Sequence, residues 1–511
     1  MRCDPMVLAD RTFDLCVIGG GIQGLAIARE AARRGLTTAL VEREDFAAGT
    51  SSRSSRLIHG GVRYLEHGHF ALLREALAER ERLLRQVPHL VRPLPMLMPY
   101  FAGAGKARWQ LRTGLWIYQL LAGRSTLPAP RYHPPAACQR LFPGLRAHGL
   151  RGGTLYFDAA TQDARLTLAV AEAAAEAGAL LCNHCAVTGA RDSHLLVHDR
   201  LGGREIRLRA RILVNAAGPQ ADAVRRSLGI EGRDLIRTSR GAHLVLPPRE
   251  AETALAAFLP DGRVQFVIPH TQGTLCGTTE VEEPAVGEPA VHASDVDYLL
   301  QALGQLLAEP PDRAAIRYAY SGWRSLPAGR GSAGALHREA FSVGEESAAG
   351  TLHTLVGGKL TTHRAFAERT VARLFALSGT SPTRDEPLPG GAGAREVDAP
   401  LWWRFGSRHG AVAALADGRP ELQQPLCPHR DLQRVELVHA VRVQGARTFA
   451  DVVLRRLVHD QGPCLEPSCL QALFALYLRE VPHAGDFASE LAPILAHTWS
   501  NPSKPSTSLP D

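Results

Sequence analysis

Six residues, Gly19-Gly20-Gly21-Ile22-Gln23-Gly24, stand between a short apolar run (residues 13–18, FDLCVI) and an Ala-rich stretch with helical spacing, LAIAREAARR. The order strand, glycine turn, helix is what a dinucleotide pyrophosphate requires. Gly19 permits the tight turn, Gly21 lets the backbone approach the phosphates, and Gly24 lets the helix pack closely on the sheet. The helix N-terminus supplies free N–H groups and a positive dipole end. Such spacing recurs in Gly-rich chains, so the next elements decide. Gly35 ends the helix, and residues 37–41 form a second strand that closes on Glu42, about 20 residues on, where a ribose hydroxyl partner belongs. A carboxylate there disfavours a 2′-phosphate and leaves FAD or NAD. No second strand, glycine turn and helix unit follows near mid-chain, so one dinucleotide is expected, with the substrate itself as reductant; this selects FAD.

Residues 43–70, REDFAAGTSSRSSRLIHGGVRYLEHGHF, are more specific. The run TSSxSSxLIHGGxRYLE resembles the flavin-adjacent segment of the FAD-dependent, aerobic respiratory sn-glycerol-3-phosphate dehydrogenases. The resemblance continues in order through Asp163-Ala-Arg165-Leu, residues 212–219 (ILVNAAGP), Arg240-Gly-Ala-His243, Gly277-Thr-Thr-Glu280, Tyr320-Ser-Gly-Trp-Arg324 and Val356-Gly-Gly-Lys359-Leu-Thr-Thr362. It spans roughly residues 12–460. It implies that Thr50, Ser51 and Ser52 wrap the pyrophosphate and ribityl chain, and that His59, Gly60 and Gly61 lie at the isoalloxazine. Gly218, Gly358, Lys359, Leu360 and Thr361 complete the FAD set. Departures from the family pattern at Gln220, Trp323, Ser325 and His363 are expected close to the substrate pocket.

The resemblance implies oxidation of sn-glycerol 3-phosphate to dihydroxyacetone phosphate, with hydride passing from C2 to flavin N5 and electrons leaving to a membrane quinone. A guanidinium matches phosphate oxygens in pairs, so Arg63, Arg324 and Arg338 are candidate anchors, with Tyr64 beside them. Lys359 follows a Gly-Gly turn and precedes Thr361-Thr362, which read as the cap of a helix aimed at the flavin. A general base should titrate near the operating pH, which favours histidine, and His243 is preferred to His59. Residues 106–124, KARWQLRTGLWIYQLLAGR, combine Trp, Leu and Ile with four basic residues and no acidic one, as an interfacial helix beside anionic lipid would. Two other readings stand beside this one. An oxidase of the same fold acting on an amino or hydroxy acid, with oxygen as acceptor, would also want arginines. A non-catalytic flavin-binding scaffold would not need the basic motif residues retained here.

Positioning these groups takes more than one lobe. At 511 residues the chain exceeds a single core. Strands returning to one nucleotide-binding sheet from distant positions imply a mixed α/β architecture of interleaved lobes. A Rossmann-like FAD-binding domain is expected from residues 12–90, 150–230 and 335–380. A mixed or antiparallel substrate sheet takes 91–149 and 231–334, with strands such as AHLVLP, RVQFVIP and TLCGTTEV. Pro and Gly near 379–394 mark a linker to a helical C-terminal domain over 395–500, and 501–511 read as a disordered tail. The net charge of +7 is spread along the chain, which argues against nucleic acid. No run of about 18 uncharged apolar residues and no signal peptide is found, so a cytoplasmic, at most peripheral, protein is expected, compatible with a homodimer. Nine cysteines fall singly or in poor metal spacings, and no metal is expected. The pair Cys182 and Cys185 reads as buried, reduced strand cysteines.

Overall fold

The computed structural model describes residues 1–9, 11–62, 68–103, 108–251, 253–270, 273–285, 287–329, 340–458 and 464–496. The apolar run after Thr12 becomes a strand, Thr12–Ile18, whose last four residues are all buried. It pairs in parallel with Thr38–Val41 on one side and with Arg204–Asn215 on the other. Leu180–Cys182 and Gly350–Val356 extend this sheet as further parallel strands, with Phe341–Ser347 antiparallel at its edge. The Ala-rich helix Ile22–Arg33 lies on one face. Ala26, Ala28 and Ala31 are buried there, and small side chains let it pack closely on the second Ala-rich helix, Asp163–Glu176.

A second sheet is mostly antiparallel. It runs from Ile236–Leu246 through Gly273–Gly277, Val264–His270 and Ala254–Phe258 to Val91–Phe101, with the last pair parallel. The antiparallel strand Tyr318–Pro327 lines the other edge of Ile236–Leu246. The strands expected at AHLVLP, RVQFVIP and TLCGTTEV are all present. Two boundaries differ from the sequence reading. Leu150–Thr161 pairs with Val91–Phe101, and Leu57–Ile58 pairs with Leu150–Thr161, so both strands belong to the second sheet. Periodicity identifies a strand but not its neighbour, and here the partner across the ladder decides the sheet.

The C-terminal region is helical, with its own apolar core built on Leu437, Phe449, Leu473, Phe474 and Tyr477. The helical stretch over 434–456 is interrupted: Arg434–Arg442 ends before Gly445, which adopts φ +68°, and a new turn starts at Phe449. Residues 501–511 lie outside the described residues. The cysteine expectation is corrected: Cys182 is joined to Cys3 as a disulfide, because the parallel edge strand brings the N-terminal segment alongside it. Cys185 stays reduced and buried.

A buried charge cluster ties the C-terminal region to the nucleotide sheet. Asp45 is fully buried and takes Arg455 Nε at 2.5 Å and Arg456 Nη2 at 2.9 Å. Arg455 also donates to Asp451 at 2.6 Å, and Asp451 faces His184 at 2.9 Å. Burial works to raise the Asp451 pKa, yet the His184 contact and the charges of Arg455 and Arg456 hold it well below the usual carboxylate range. Removing one charge strands the others, which typically costs about 3–5 kcal/mol. Asp45→Asn should therefore lower stability by that order in urea unfolding. Because the folded Asp451 pKa is depressed, its contribution is complete at neutral pH and should be lost only as pH falls below the unfolded carboxylate value of about 3.9.

Candidate functional site

The two sheets meet along two adjoining cavities. The first, of about 340 Å³, lies over the glycine turn. The second, of about 310 Å³, opens over the antiparallel sheet. Thr50, Arg53, Ser54, Trp323, Arg324, Lys359 and Leu360 line both, so these residues form the passage between them.

At the glycine turn, Gly19 adopts φ +115°, and a Cβ there would stand 2.6 Å from the Ala216 carbonyl oxygen. A Cβ on Gly24 would overlap the Gly19 carbonyl oxygen. Gly24 therefore acts by helix packing and does not reach the cavity. Gly21 lines it, and its missing Cβ would meet only Ser51 Oγ, at 3.2 Å. Ser51 Oγ accepts the Ile22 N–H at 2.9 Å, which places a hydroxyl on the helix N-terminus. Glu42 accepts the Gly20 N–H at 2.6 Å and the Glu44 N–H at 2.8 Å. Burial pushes its carboxyl pKa up, opposed by those two N–H groups. Thr50 donates to the Trp323 carbonyl at 2.6 Å and so fastens the loop to the second sheet. Gly218, Gly358, Lys359 and Leu360 close the far side. Gly358 adopts φ +105° against Gln23, whose Nε2 donates to the Lys359 carbonyl at 3.0 Å.

In the second cavity, His243 and Arg324 come from paired strands, with Ser239 opposite Arg324 and His243 opposite Tyr320. The His243 ring stacks on Tyr320 at 4.9 Å, and its Nε2 meets Ser55 Oγ at 2.8 Å. Its Nδ1 has no hydrogen-bond partner among the described residues. Burial, then the charges of Arg324 and Arg56, pull its pKa down to about 3. The expected near-neutral titration is thus corrected. Arg324 is held by Thr278 Oγ1 at 2.9 Å, the Thr279 carbonyl at 3.4 Å and Glu280 at 3.3 Å. His59, Gly61, Lys359 and Thr361 line the same space, and Thr361 Oγ1 accepts the His59 N–H at 3.2 Å.

Five expectations shift. Gly60 reaches neither cavity: it is packed under Tyr118, Leu73 and Leu77, and its N–H donates to Tyr118 at 2.9 Å. Ser52 stays in its own turn, donating to the Gly49 carbonyl at 3.4 Å. His363 is buried beside the turn, with Nδ1 2.7 Å from the Leu360 carbonyl and its pKa lowered by burial to about 4, and it lines neither cavity. Gln220 and Ser325 line the glycine-turn cavity, away from His243. Thr362 stands at the start of the helix His363–Leu374 without a side-chain cap bond. Arg63, Tyr64 and Arg338 lie outside the described residues.

The structure adds residues that the motif reading passed over. Arg53 lines both cavities and pairs with Glu288 at 2.7 Å. Ser54 is anchored to Asp163 by its N–H and its hydroxyl, each at 2.8 Å. Both residues, like Ser55, sit inside the TSSRSS run, where their neighbours could have pointed to them; Arg263 on the cavity wall has no local signal.

Comparisons with known proteins agree with this geometry. The family described as FAD dependent oxidoreductase matches residues 14–364. A glycerol-3-phosphate dehydrogenase of Synechocystis sp. is 34% identical over 89% of this chain and 90% of its own. A D-erythritol 1-phosphate dehydrogenase of Brucella abortus is 33% identical over 88% and 94%. The crystal structure of the Bacillus halodurans glycerol-3-phosphate dehydrogenase complexed with FAD superposes with a TM-score of 0.75 at 26% identity, covering 98% of each chain. The cavity residues fit FAD: a helix N-terminus on the cavity rim with close backbone approach at Gly21, and a carboxylate at Glu42. The chain belongs to the FAD-dependent oxidoreductases and, within them, to the glycerol-3-phosphate dehydrogenases.

Proposed function

We propose that this chain oxidises sn-glycerol 3-phosphate at C2 to dihydroxyacetone phosphate and passes the electrons to a membrane quinone. The observation that carries the reading is that Arg53, Arg324 and Lys359 line the passage between the two cavities and His243 lines the second of them. FAD, when bound, supplies the two-electron acceptor. The protein supplies the rest. Arg324, braced by Thr278 and Thr279, and Lys359 give a fixed cationic wall for a phosphate dianion. Neutral His243, set by Ser55 and Tyr320, is the group to take the C2 hydroxyl proton. A dianion held at Arg324 offsets the charge that disfavours the imidazolium, so substrate raises the proton affinity of its own base. The test is anaerobic mixing with glycerol 3-phosphate, a longer polyol phosphate, and amino or hydroxy acids in parallel. Bleaching of the flavin band by glycerol 3-phosphate is expected; bleaching by an amino or hydroxy acid instead would make the chain an oxidase of another substrate class, and no bleaching would make it a scaffold.

The helix Arg108–Ala122 supports peripheral attachment to the inner face of the membrane. Trp109, Trp116 and Leu120 are 68%, 58% and 79% exposed, while Leu115 and Tyr118 are buried. Intervals of seven and four residues put the three on one face. Among the described residues no helix is long and apolar enough to cross a membrane. Tyr118 donates to Asp158 at 2.6 Å, and Asp158 lines the second cavity, so this surface helix is joined to the site.

Arg324→Ala and Lys359→Ala should each retain FAD but reduce flavin more slowly, by the about 2–5 kcal/mol that loss of one charged partner in a desolvated site typically costs; stopped-flow reduction checks this, and wild-type rates would place the phosphate elsewhere. His243→Gln should slow reduction as well. Because the His243 pKa is depressed, the neutral base is present throughout pH of about 5–8, so the free enzyme's profile should show no histidine limb there. An acid limb near the ordinary histidine value that vanishes in the variant would refute the depressed pKa. Trp116→Glu with Leu120→Glu should cut co-sedimentation with anionic vesicles by more than about tenfold, since each buried apolar side chain contributes about 1.5–3 kcal/mol. Undiminished binding would move the membrane surface elsewhere.

A further inference from the structure

Three of the nine cysteines, which look isolated in sequence, are gathered by the C-terminal fold around one histidine. Cys427 ends the short strand Pro425–Cys427, and His429 lies in the turn before Arg430–Gln433. Cys464 precedes the helix Pro467–Glu480, and Cys469 lies in its first turn. The four ligand atoms lie within 4.8 Å of one another. His429 Nδ1 is 3.3 Å from Cys469 Sγ and 3.9 Å from Cys464 Sγ. In a tetrahedron with Zn–S of about 2.3 Å and Zn–N of about 2.0–2.1 Å, neighbouring ligand atoms stand roughly 3.5–3.8 Å apart. The cluster is thus close to coordination distances.

We propose that Cys427, His429, Cys464 and Cys469 form a structural zinc site. Three thiolates and an imidazole select a soft, tetrahedral cation, and four protein ligands leave no open position for catalysis. Binding replaces three thiol protons, which are released to solvent, by three Zn–S bonds and adds one Zn–N bond through neutral His429 Nδ1. The resulting site carries a net charge of minus one. Arg430, whose Nη1 donates to the His429 carbonyl at 3.0 Å, stands beside it as the compensating charge. Leu432, Val453, Leu457, Leu470 and Leu473 wall the inner side of the cluster.

The local fold has a use for such a link. The hairpin has strands of only three and four residues, and a two-stranded hairpin of that size is marginal in water. A zinc ion would bolt it to the first turn of Pro467–Glu480. The second group of potential ligands, Asp45, His184 and Asp451, differs in kind, because Arg455 and Arg456 already neutralise its carboxylates.

The test uses the tag-free full chain with its FAD, grown with added zinc. Elemental analysis after desalting should find one zinc per chain, and mercurial titration of the thiols should release it. Cobalt(II) in its place should show thiolate charge-transfer bands and the strong d–d absorption of a tetrahedral site. Cys464→Ser and Cys469→Ser should lose the metal and unfold at lower temperature while the flavin content stays unchanged. Since those variants could misfold, the exposed His429 gives a milder one: His429→Ala should speed chelator-driven zinc loss by on the order of tenfold or more. Zinc-free protein whose three thiols alkylate freely, or a disulfide between any two of them in the purified chain, would overturn the proposal.

Discussion

The nucleotide site depends on how closely one helix can approach one strand. A side chain at Gly24 would overlap the Gly19 carbonyl oxygen, so glycine alone lets Ile22–Arg33 settle on Thr12–Ile18. Once it does, the first N–H groups of the helix come to the rim of the cavity, where Ser51 takes one and Glu42 takes that of Gly20. Thr50 then reaches the Trp323 carbonyl of the second sheet. One backbone contact therefore sets both the floor of the first cavity and the place where the second sheet docks.

The second cavity depends on register instead. Pairing of Ile236–Leu246 with Tyr318–Pro327 sets His243 against Tyr320 and leaves Arg324 two pairs beyond Gly241, which faces Gly322. Gly241 has no side chain because Arg324 Nη2 occupies that space, and Gly277 has none because the His243 ring does. Burial first, and then the same nearness that brings Arg324 beside it, pull the imidazole pKa down. On the proposed reading, Arg324 disfavours a protonated His243 in the free chain, and a dianion bound at Arg324 would offset that charge.

What the sequence made legible was local: the glycine turn, the alternating strands and the motif residues, all of which depend on neighbours a few positions away. What it hid was set by distant partners. Gly60 sits in a conspicuous Gly-Gly pair, yet Tyr118, Leu73 and Leu77 decide its place. His363 replaces a motif residue but turns to the Leu360 carbonyl. Cys182 finds Cys3 across 179 residues, a separation that spacing cannot read. Leu57–Ile58 and Leu150–Thr161 fall in stretches assigned to the nucleotide domain, yet their partners across the ladder place them in the second sheet.

The C-terminal region lies beyond the matched family segment, which ends at residue 364, yet it is built into the nucleotide site. Asp45 stands three residues after Glu42, in the loop that leads to Thr50 and Ser51, and its carboxylate is fully buried. A buried carboxylate is tolerated only with its charge met, and here both partners, Arg455 and Arg456, come from the C-terminal helices. The loop between Glu42 and the hydroxyl run is therefore held from outside the nucleotide sheet. His184 and Asn183 follow the edge strand and join the same cluster, through Asp451 and Asp45. The consequence is structural: buried ion pairs tie the C-terminal helices to the loop that leads from Glu42 to Thr50 and Ser51.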